Sequence, residues 1–281
     1  MSEASFQLAM GQMLVRPGDL EVNLRRARQM IAEAAQSKCQ IVVLPECLDV
    51  GWTHPSAADQ AQPIPGTTFD RLAKEAAQHG IHVVAGLTER DSLRIYNTAV
   101  LIGPDGRLLL KHRKVNILDI AQDLYSVGDR LGVADTELGR IGIAICADNF
   151  PTSLCLGHAL GRMGARILLS PCAWAVPVDY DNSAQPYGRD LWHPAYRELA
   201  GLYEMPVIGV SNVGPVTAGP WAGRNCIGSS LAVDADGRVL VEGPFGVDAE
   251  ELLVLSIALR PAPALGTDIA ADLESKGYAG R

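Results

Sequence analysis

The sequence predicts an α/β protein built as a four-layer α-β-β-α sandwich of two pseudo-equivalent halves. Three observations carry that expectation. Hydrophobic periodicity switches repeatedly between strand-like and helix-like. LIGPDGRLLL (101–110) and LAVDADGRVL (231–240) echo one another as apolar strands joined by Asp-Gly-Arg. Asp-Gly between strands signals a hairpin, because the turn needs the positive φ that glycine adopts without strain. Each hairpin comes late in a half that begins strand, helix, strand. Strands paired this way have two apolar faces to bury, which calls for a second sheet on one side and helices on the other.

The elements follow in order. FQLAMGQM (6–13) reads as a strand, and DLEVNLRRARQMIAEAAQ (19–36) as a helix with Leu20, Leu24, Ala27, Met30, Ile31 and Ala34 on one face. IVVLPE (41–46) is a buried strand that Pro45 ends, and TTFDRLAKEAAQHG (67–80) is a helix with Gly80 as its C-cap. IHVVAGL, YNTAVLI and RIGIAIC read as strands, TSLCLGHALGRMG as a helix and RILLSP as a strand. DLWHPAYRELAGLYE and PVIGVSN close the pattern as helix and strand. No linker, charge block or low-complexity run divides residues 1–281, so a single domain is expected.

Composition narrows the function. Of 281 residues, 48% are apolar and 20% charged, ample for a large core. A net charge of −8 offers nucleic acid no basic face, and KHRK (111–114) reads as a solvated strand end. There is no apolar run of membrane-spanning length and no basic, apolar leader, so a cytoplasmic chain is expected. The six cysteines (Cys39, Cys47, Cys146, Cys155, Cys172, Cys226) form no C-x-x-C pair. The six histidines lack H-x-x-x-H spacing, so neither disulfides nor a metal site is expected, and no cofactor is called for.

Three blocks each place a polar group at the end of an apolar strand: Glu46 in VVLPECLDVGW, Lys114 in LLLKHRKVNIL and Cys146 in IGIAICADNF. Taken singly, each has a plain packing or solvent-exposure reading. Together they form a chemical set. A thiol is a poor nucleophile until it loses its proton; a carboxylate can take that proton, and an ammonium favours the thiolate and then an oxyanion. That is sufficient for acyl transfer without metal or histidine.

In these blocks the chain resembles the nitrilase, or carbon–nitrogen hydrolase, superfamily. Glu46 in LPE, Lys114 in RK and Cys146 in ICADNFP stand in the family's order and spacing. GDRLGV, TELGRIGIAIC, GARILLSPCAW and IGSSLAVDADGRVL extend the likeness over about residues 6–258. The resemblance implies the nitrilase-like sandwich fold and a homodimer or higher homo-oligomer, with the tail 259–281 readable either as a dimer-crossing segment or as a frayed terminus. It implies a Glu46–Lys114–Cys146 triad, an oxyanion site at the Ala147 backbone N–H, and Trp52, Asn149 and Trp174 along a substrate pocket, Trp174 being equally readable as core. It further implies hydrolysis of a small linear amide or N-carbamoyl amine through a cysteine thioester, with that small molecule as the partner.

Two departures stand out. The family's additional glutamate falls near Ala121 in ILDIAQDLYSVGDR, which leaves Asp119, Asp123 or no residue at all in its place. The family's Arg-Ala-x-Glu-Asn is replaced by RELAGLYEMP. Nitrile hydrolysis is the rival reaction, but nitrile-hydrolysing members follow the cysteine with Trp-Glu, where this chain has Ala147-Asp148. The residues also admit a catalytically silent protein that binds a metabolite or partner, and a Cys-His hydrolase using His158 or His112. The polar stretch 176–190, with Asp179, Asp181 and Arg189, reads as a loop near the pocket.

Overall fold

The computed structural model describes residues 4–261 and 264–280. The first half comprises β1 (Ala4–Gln12), α1 (Leu20–Gln36), β2 (Ile41–Val43), the single-turn α2 (Ala57–Gln60), α3 (Thr67–His79), β3 (His82–Asp91), β4 (Arg94–Ile102) and β5 (Leu108–Arg113). The second comprises β6 (Val133–Thr136), β7 (Gly139–Ile143), α4 (Leu154–Arg162), β8 (Ile167–Cys172), β9 (Ala175–Pro177), α5 (Trp192–Tyr203), β10 (Val207–Ser211), β11 (Val213–Val216), β12 (Arg224–Ile227), β13 (Leu231–Val233) and β14 (Val239–Glu242). β15 (Glu251–Leu259) and α6 (Asp268–Ser275) complete the chain.

The two large sheets have the same plan. The first runs β15-β1-β2-β3-β4-β5 and the second β6-β7-β8-β10-β13-β14. In each, three central strands are parallel and the flanking strands antiparallel. The Asp-Gly-Arg echoes join β4 to β5 and β13 to β14. Gly106 (φ 80°) and Gly237 (φ 77°) supply the left-handed residue in the two turns. The turns close alike, Gly103 N–H donating to Arg107 O and Asp234 N–H to Arg238 O, both at 2.8 Å. A register shift follows each, as expected where a left-handed glycine forms a bulge.

Alternation along the strands sorts residues between layers. Leu8, Met10, Ile41 and Val43 of the first sheet pack with Ile141, Ile143, Ile167 and Leu169 of the second. Their neighbours Ala9, Val42 and Leu44 face Leu24, Ile31, Phe69 and Leu72 of α1 and α3. α1 buries the predicted stripe except that Leu20 is only partly buried and Asn23 joins it; the Asn23 amide donates to the Arg16 and Asp49 carbonyls. Gly80 ends α3 at φ 62°.

β9, β11 and β12 form a separate three-stranded sheet that the periodicity did not reveal. The expected tail lies over its own chain: Ile269 and Leu273 of α6 are buried, Lys276 Nζ reaches Leu202 O at 3.2 Å, and the Tyr278 ring lies 4.7 Å from that of His158. Residues 262, 263 and 281 of that tail fall outside the described residues. Among the described residues no helix is long and apolar enough to cross a membrane.

Candidate active site

Glu46 follows β2, Lys114 follows β5 and Cys146 follows β7, so the two-sheet packing brings three strand ends to one place. Pro45 stops β2 pairing as a regular strand, and the turn beyond it lies flat on β3. Gly86 N–H donates to Pro45 O at 3.0 Å and Leu48 N–H to Gly86 O at 2.9 Å. A Cβ at Gly86 would stand 2.5 Å from Glu46 Cα, so glycine is required for that approach. Glu46 N–H donates to Cys172 O across the sandwich at 3.2 Å.

The Glu46 carboxylate is buried and asymmetric. Its Oε1 accepts from Lys114 Nζ at 2.7 Å and from Asn97 Nδ2 at 2.6 Å, while its Oε2 is buried without a partner among the described residues. An unsatisfied buried carboxylate oxygen is costly in a structural role and apt for accepting a proton. Lys114 is 2% exposed, not the solvated lysine that KHRK suggested. Burial lowers the pKa of its ammonium, but Glu46, then Cys146 and Asp148, outweigh that and hold it above the ordinary lysine value. Its neighbours Lys111 and Arg113 are ion-paired to Glu89, Lys111 at 2.6 Å and Arg113 at 2.7 Å.

Cys146 opens a 3-10 turn, Cys146–Asn149, with its own φ at 44°. Positive φ at a non-glycine residue costs about 1–3 kcal/mol and is found where surrounding structure imposes it. Here the bonds are clear. Cys146 N–H donates to Ser170 Oγ at 3.1 Å, and Asn149 Nδ2 donates to Ser170 Oγ at 3.0 Å and to Ala144 O at 3.3 Å. Asn149 is thus fully buried, with its amide nitrogen bracing the turn. The Cys146 thiol is held well above its ordinary pKa by contact with the Cys172 thiol, by burial and by the Glu46 charge, against the opposing pull of Lys114. It is therefore a neutral thiol beside a carboxylate.

Asp148, read only as part of the motif, binds the Cys146 turn to the Lys114 segment. Its Oδ1 accepts from Val115 N (3.1 Å) and Asn116 N (2.7 Å), and its Oδ2 from His112 Nε2 (2.8 Å) and Ile145 N (3.0 Å). Asn116 Nδ2 adds a bond to Ala147 O at 2.6 Å. Burial raises the Asp148 pKa, but the His112 bond and charge, with Asn116 and Lys114, leave it below the ordinary carboxylate value. His112 is thus committed to Asp148 and His158 to Tyr203 OH at 2.8 Å, and among the described residues no histidine is hydrogen-bonded to Cys146.

Around this centre stand aromatic rings. The Trp52 ring centroid is 6.0 Å from Lys114 Nζ and 4.9 Å from Trp221. Trp174 is buried and stacked on Trp192 at 4.9 Å, with Tyr187 at 6.0 Å. Tyr187 comes from the 176–190 loop; Asp181 there caps its own turn, its Oδ1 accepting from Ser183 and Ala184 N–H, and Asp179 and Arg189 are exposed. Asp119 and Asp123 are exposed. The same segment sends Tyr125 inward, its OH accepting from Thr53 N at 3.1 Å and meeting Cys47 Sγ at 3.6 Å. Among the described residues no three His, Cys, Asp or Glu side chains are grouped to hold a metal.

Residues 4–261 match the carbon–nitrogen hydrolase family. The chain belongs to that family. It is 37% identical over 182 residues to omega-amidase NIT2 of Xenopus tropicalis, a match covering 61% of this chain. The chain spans 64% of that relative's length. Among solved structures, Saccharomyces cerevisiae Nit3, of branch 10 of the nitrilase superfamily, superposes with a TM-score of 0.77 at 24% identity over 100% of this chain and 97% of that one. A mutant of the amidase from Nesterenkonia sp. AN1, showing covalent addition of the acetamide moiety of fluoroacetamide at its active-site cysteine, gives 0.76 at 21% identity, covering 97% of this chain and 93% of that one. These likenesses agree with the nitrilase-type sandwich of this carbon–nitrogen hydrolase.

Proposed function

We propose that the chain hydrolyses the C–N bond of a small linear amide or N-carbamoyl amine through a thioester on Cys146. The observation that carries this reading is the buried Glu46 carboxylate, with one oxygen fixed by Lys114 and Asn97 and the other unpartnered among the described residues, beside a neutral thiol. The omega-amidase name of the curated relative favours an amide over a nitrile. Glu46 accepts the thiol proton as sulfur bonds to the carbonyl carbon. The oxyanion is held by the Lys114 ammonium and the Ala147 N–H, donors worth about 3–4 kcal/mol apiece in a dry site. Glu46 returns the proton to the departing nitrogen, the C–N bond breaks, and the acyl group stays on sulfur. Water, giving its proton to Glu46, then attacks the thioester, and the returning proton frees the Cys146 thiol.

Release of ammonia from a panel of short amides and N-carbamoyl amines tests this reading. At least one class is turned over, Cys146→Ala abolishes the turnover, and exhaustive chelation leaves it intact. A panel with no substrate, a Cys146→Ala protein that retains turnover, or activity lost to chelation and restored by zinc would overturn it.

A further inference from the structure

The second sulfur at the site belongs to Cys172, which sequence reasoning leaves without an active neighbour. β7 and β8 are parallel with Ile141↔Ile167, Gly142↔Leu168 and Ile143↔Leu169 in register. Cys146 lies in the turn just beyond β7, and Cys172 is the last residue of its partner β8. Both residues are tied to one hydroxyl: Cys146 N–H donates to Ser170 Oγ at 3.1 Å, and Ser170 Oγ lies 3.4 Å from Cys172 Sγ. The Cys172 thiol is near enough to help push the Cys146 pKa up. Cys172 is fully buried, whereas Cys146 keeps 8% exposure, so a small oxidant meets Cys146 first. The other nearby thiol, Cys47, is engaged with Tyr125 OH.

We propose that Cys146 and Cys172 form an oxidisable dithiol, a modification site at which a peroxide converts the reactive thiol to a sulfenic acid and Cys172 closes on it as a disulfide. In the first step the Cys146 sulfur bonds to one peroxide oxygen and the O–O bond breaks. The other oxygen leaves as water, taking the thiol proton by way of Glu46. In the second step the Cys172 sulfur attacks the Cys146 sulfur, the S–O bond breaks, and the hydroxyl leaves as water with the Cys172 proton. Two thiols and one peroxide give one disulfide and two waters. The disulfide removes the nucleophile reversibly and keeps it from the sulfinic and sulfonic acids that thiol reductants do not reverse.

The inference uses the same thiol as the proposed hydrolysis but is read by mass, so absence of amidase turnover leaves its test intact. The full chain is treated with equimolar hydrogen peroxide, alkylated and digested with trypsin. Peptides 141–162 and 167–189 are expected joined and two hydrogens lighter than their sum, with fragmentation placing the bond at Cys146 and Cys172 rather than Cys155. Dithiothreitol restores both thiols, together with any turnover lost. Cys172→Ser and Cys172→Ala carry Cys146 on to sulfinic acid, which dithiothreitol does not reverse. Sulfinic acid on wild-type Cys146 without the cross-link, a bond from Cys146 to Cys47 or Cys155, or reversible oxidation in both variants overturns the proposal. If neither variant folds, the wild-type cross-link map decides it alone.

Discussion

Two lysines three positions apart show how much one residue's surroundings decide. Lys111 is ion-paired to Glu89 at the half-exposed edge of β5, while Lys114 is sealed against Glu46. Lys111→Ala should leave turnover unchanged. Lys114→Ala should lower kcat by about 10²–10³ or more, because its ammonium meets charge that develops only in the transition state. It should also destabilise the fold by about 3–5 kcal/mol, since a buried carboxylate loses its partner. Steady-state kinetics and thermal unfolding of both variants check this; equal, mild effects would remove Lys114 from the mechanism. The raised Cys146 pKa gives a second test. With the free thiol neutral, alkylation by iodoacetamide should be flat across neutral pH, driven by Glu46, and rise only above the ordinary thiol value of 9.0. A titration complete below that value would mean a resting thiolate. At this scale Glu46, Lys114 and Cys146 were legible because each ends an apolar strand. Asn97, Ser170 and Tyr125 were not: their partners lie far off in sequence, Asn97 being 51 residues from Glu46, and no local pattern marks a hydrogen bond made by folding.

At the scale of elements, the turn after β2 depends on a missing side chain. The Gly86 backbone pairs with Pro45 and Leu48, and any Cβ there would press on Glu46 Cα, Pro45 O and Cys47 N at 2.5, 2.7 and 2.9 Å. All three are backbone atoms, which cannot rotate away. Gly86→Ala should therefore cost about 1–3 kcal/mol of stability, as overpacking does, and shift the base enough to lower kcat with little change in KM. Unfolding midpoints and steady-state kinetics read both effects; wild-type kinetics would show that the turn tolerates the displacement. The elements themselves were mostly readable. α1 and α3 announce themselves by apolar stripes, α3 also by its terminal Gly80, and both Asp-Gly-Arg hairpins formed where expected. The sheet of β9, β11 and β12 stayed hidden because its strands have three or four residues, too few to show a period.

At the scale of the molecule, the site exists only where the halves meet. Glu46 and Lys114 hang from the first sheet and Cys146 from the second. Hydrogen bonds from Glu46 N to Cys172 O and from Val115, Asn116 and His112 to Asp148 tie the two together. The paired hairpins made the two-half plan legible, but not which residue latches the halves, because Asp148 carries no mark distinguishing it from a surface aspartate after a strand. Its carboxylate accepts four bonds, one of them from His112, so Asp148→Asn turns one acceptor oxygen into an NH2 donor that faces at least one backbone N–H. That should cost about 3–5 kcal/mol, as loss of one member of a buried pair does. The pH dependence has a definite sign. Because the folded-state pKa is depressed, the stabilisation is fully present above the ordinary value of 3.8 and is lost as pH falls through the lower folded-state value. Unfolding curves of wild type and Asp148→Asn should thus lie apart from about pH 5 upward and converge in stronger acid. A constant separation down to the acid limit would show that the latch does not depend on the Asp148 charge. kcat should fall in the variant even where it remains folded, since Lys114 and Cys146 are then held by separate halves with one fewer tie between them.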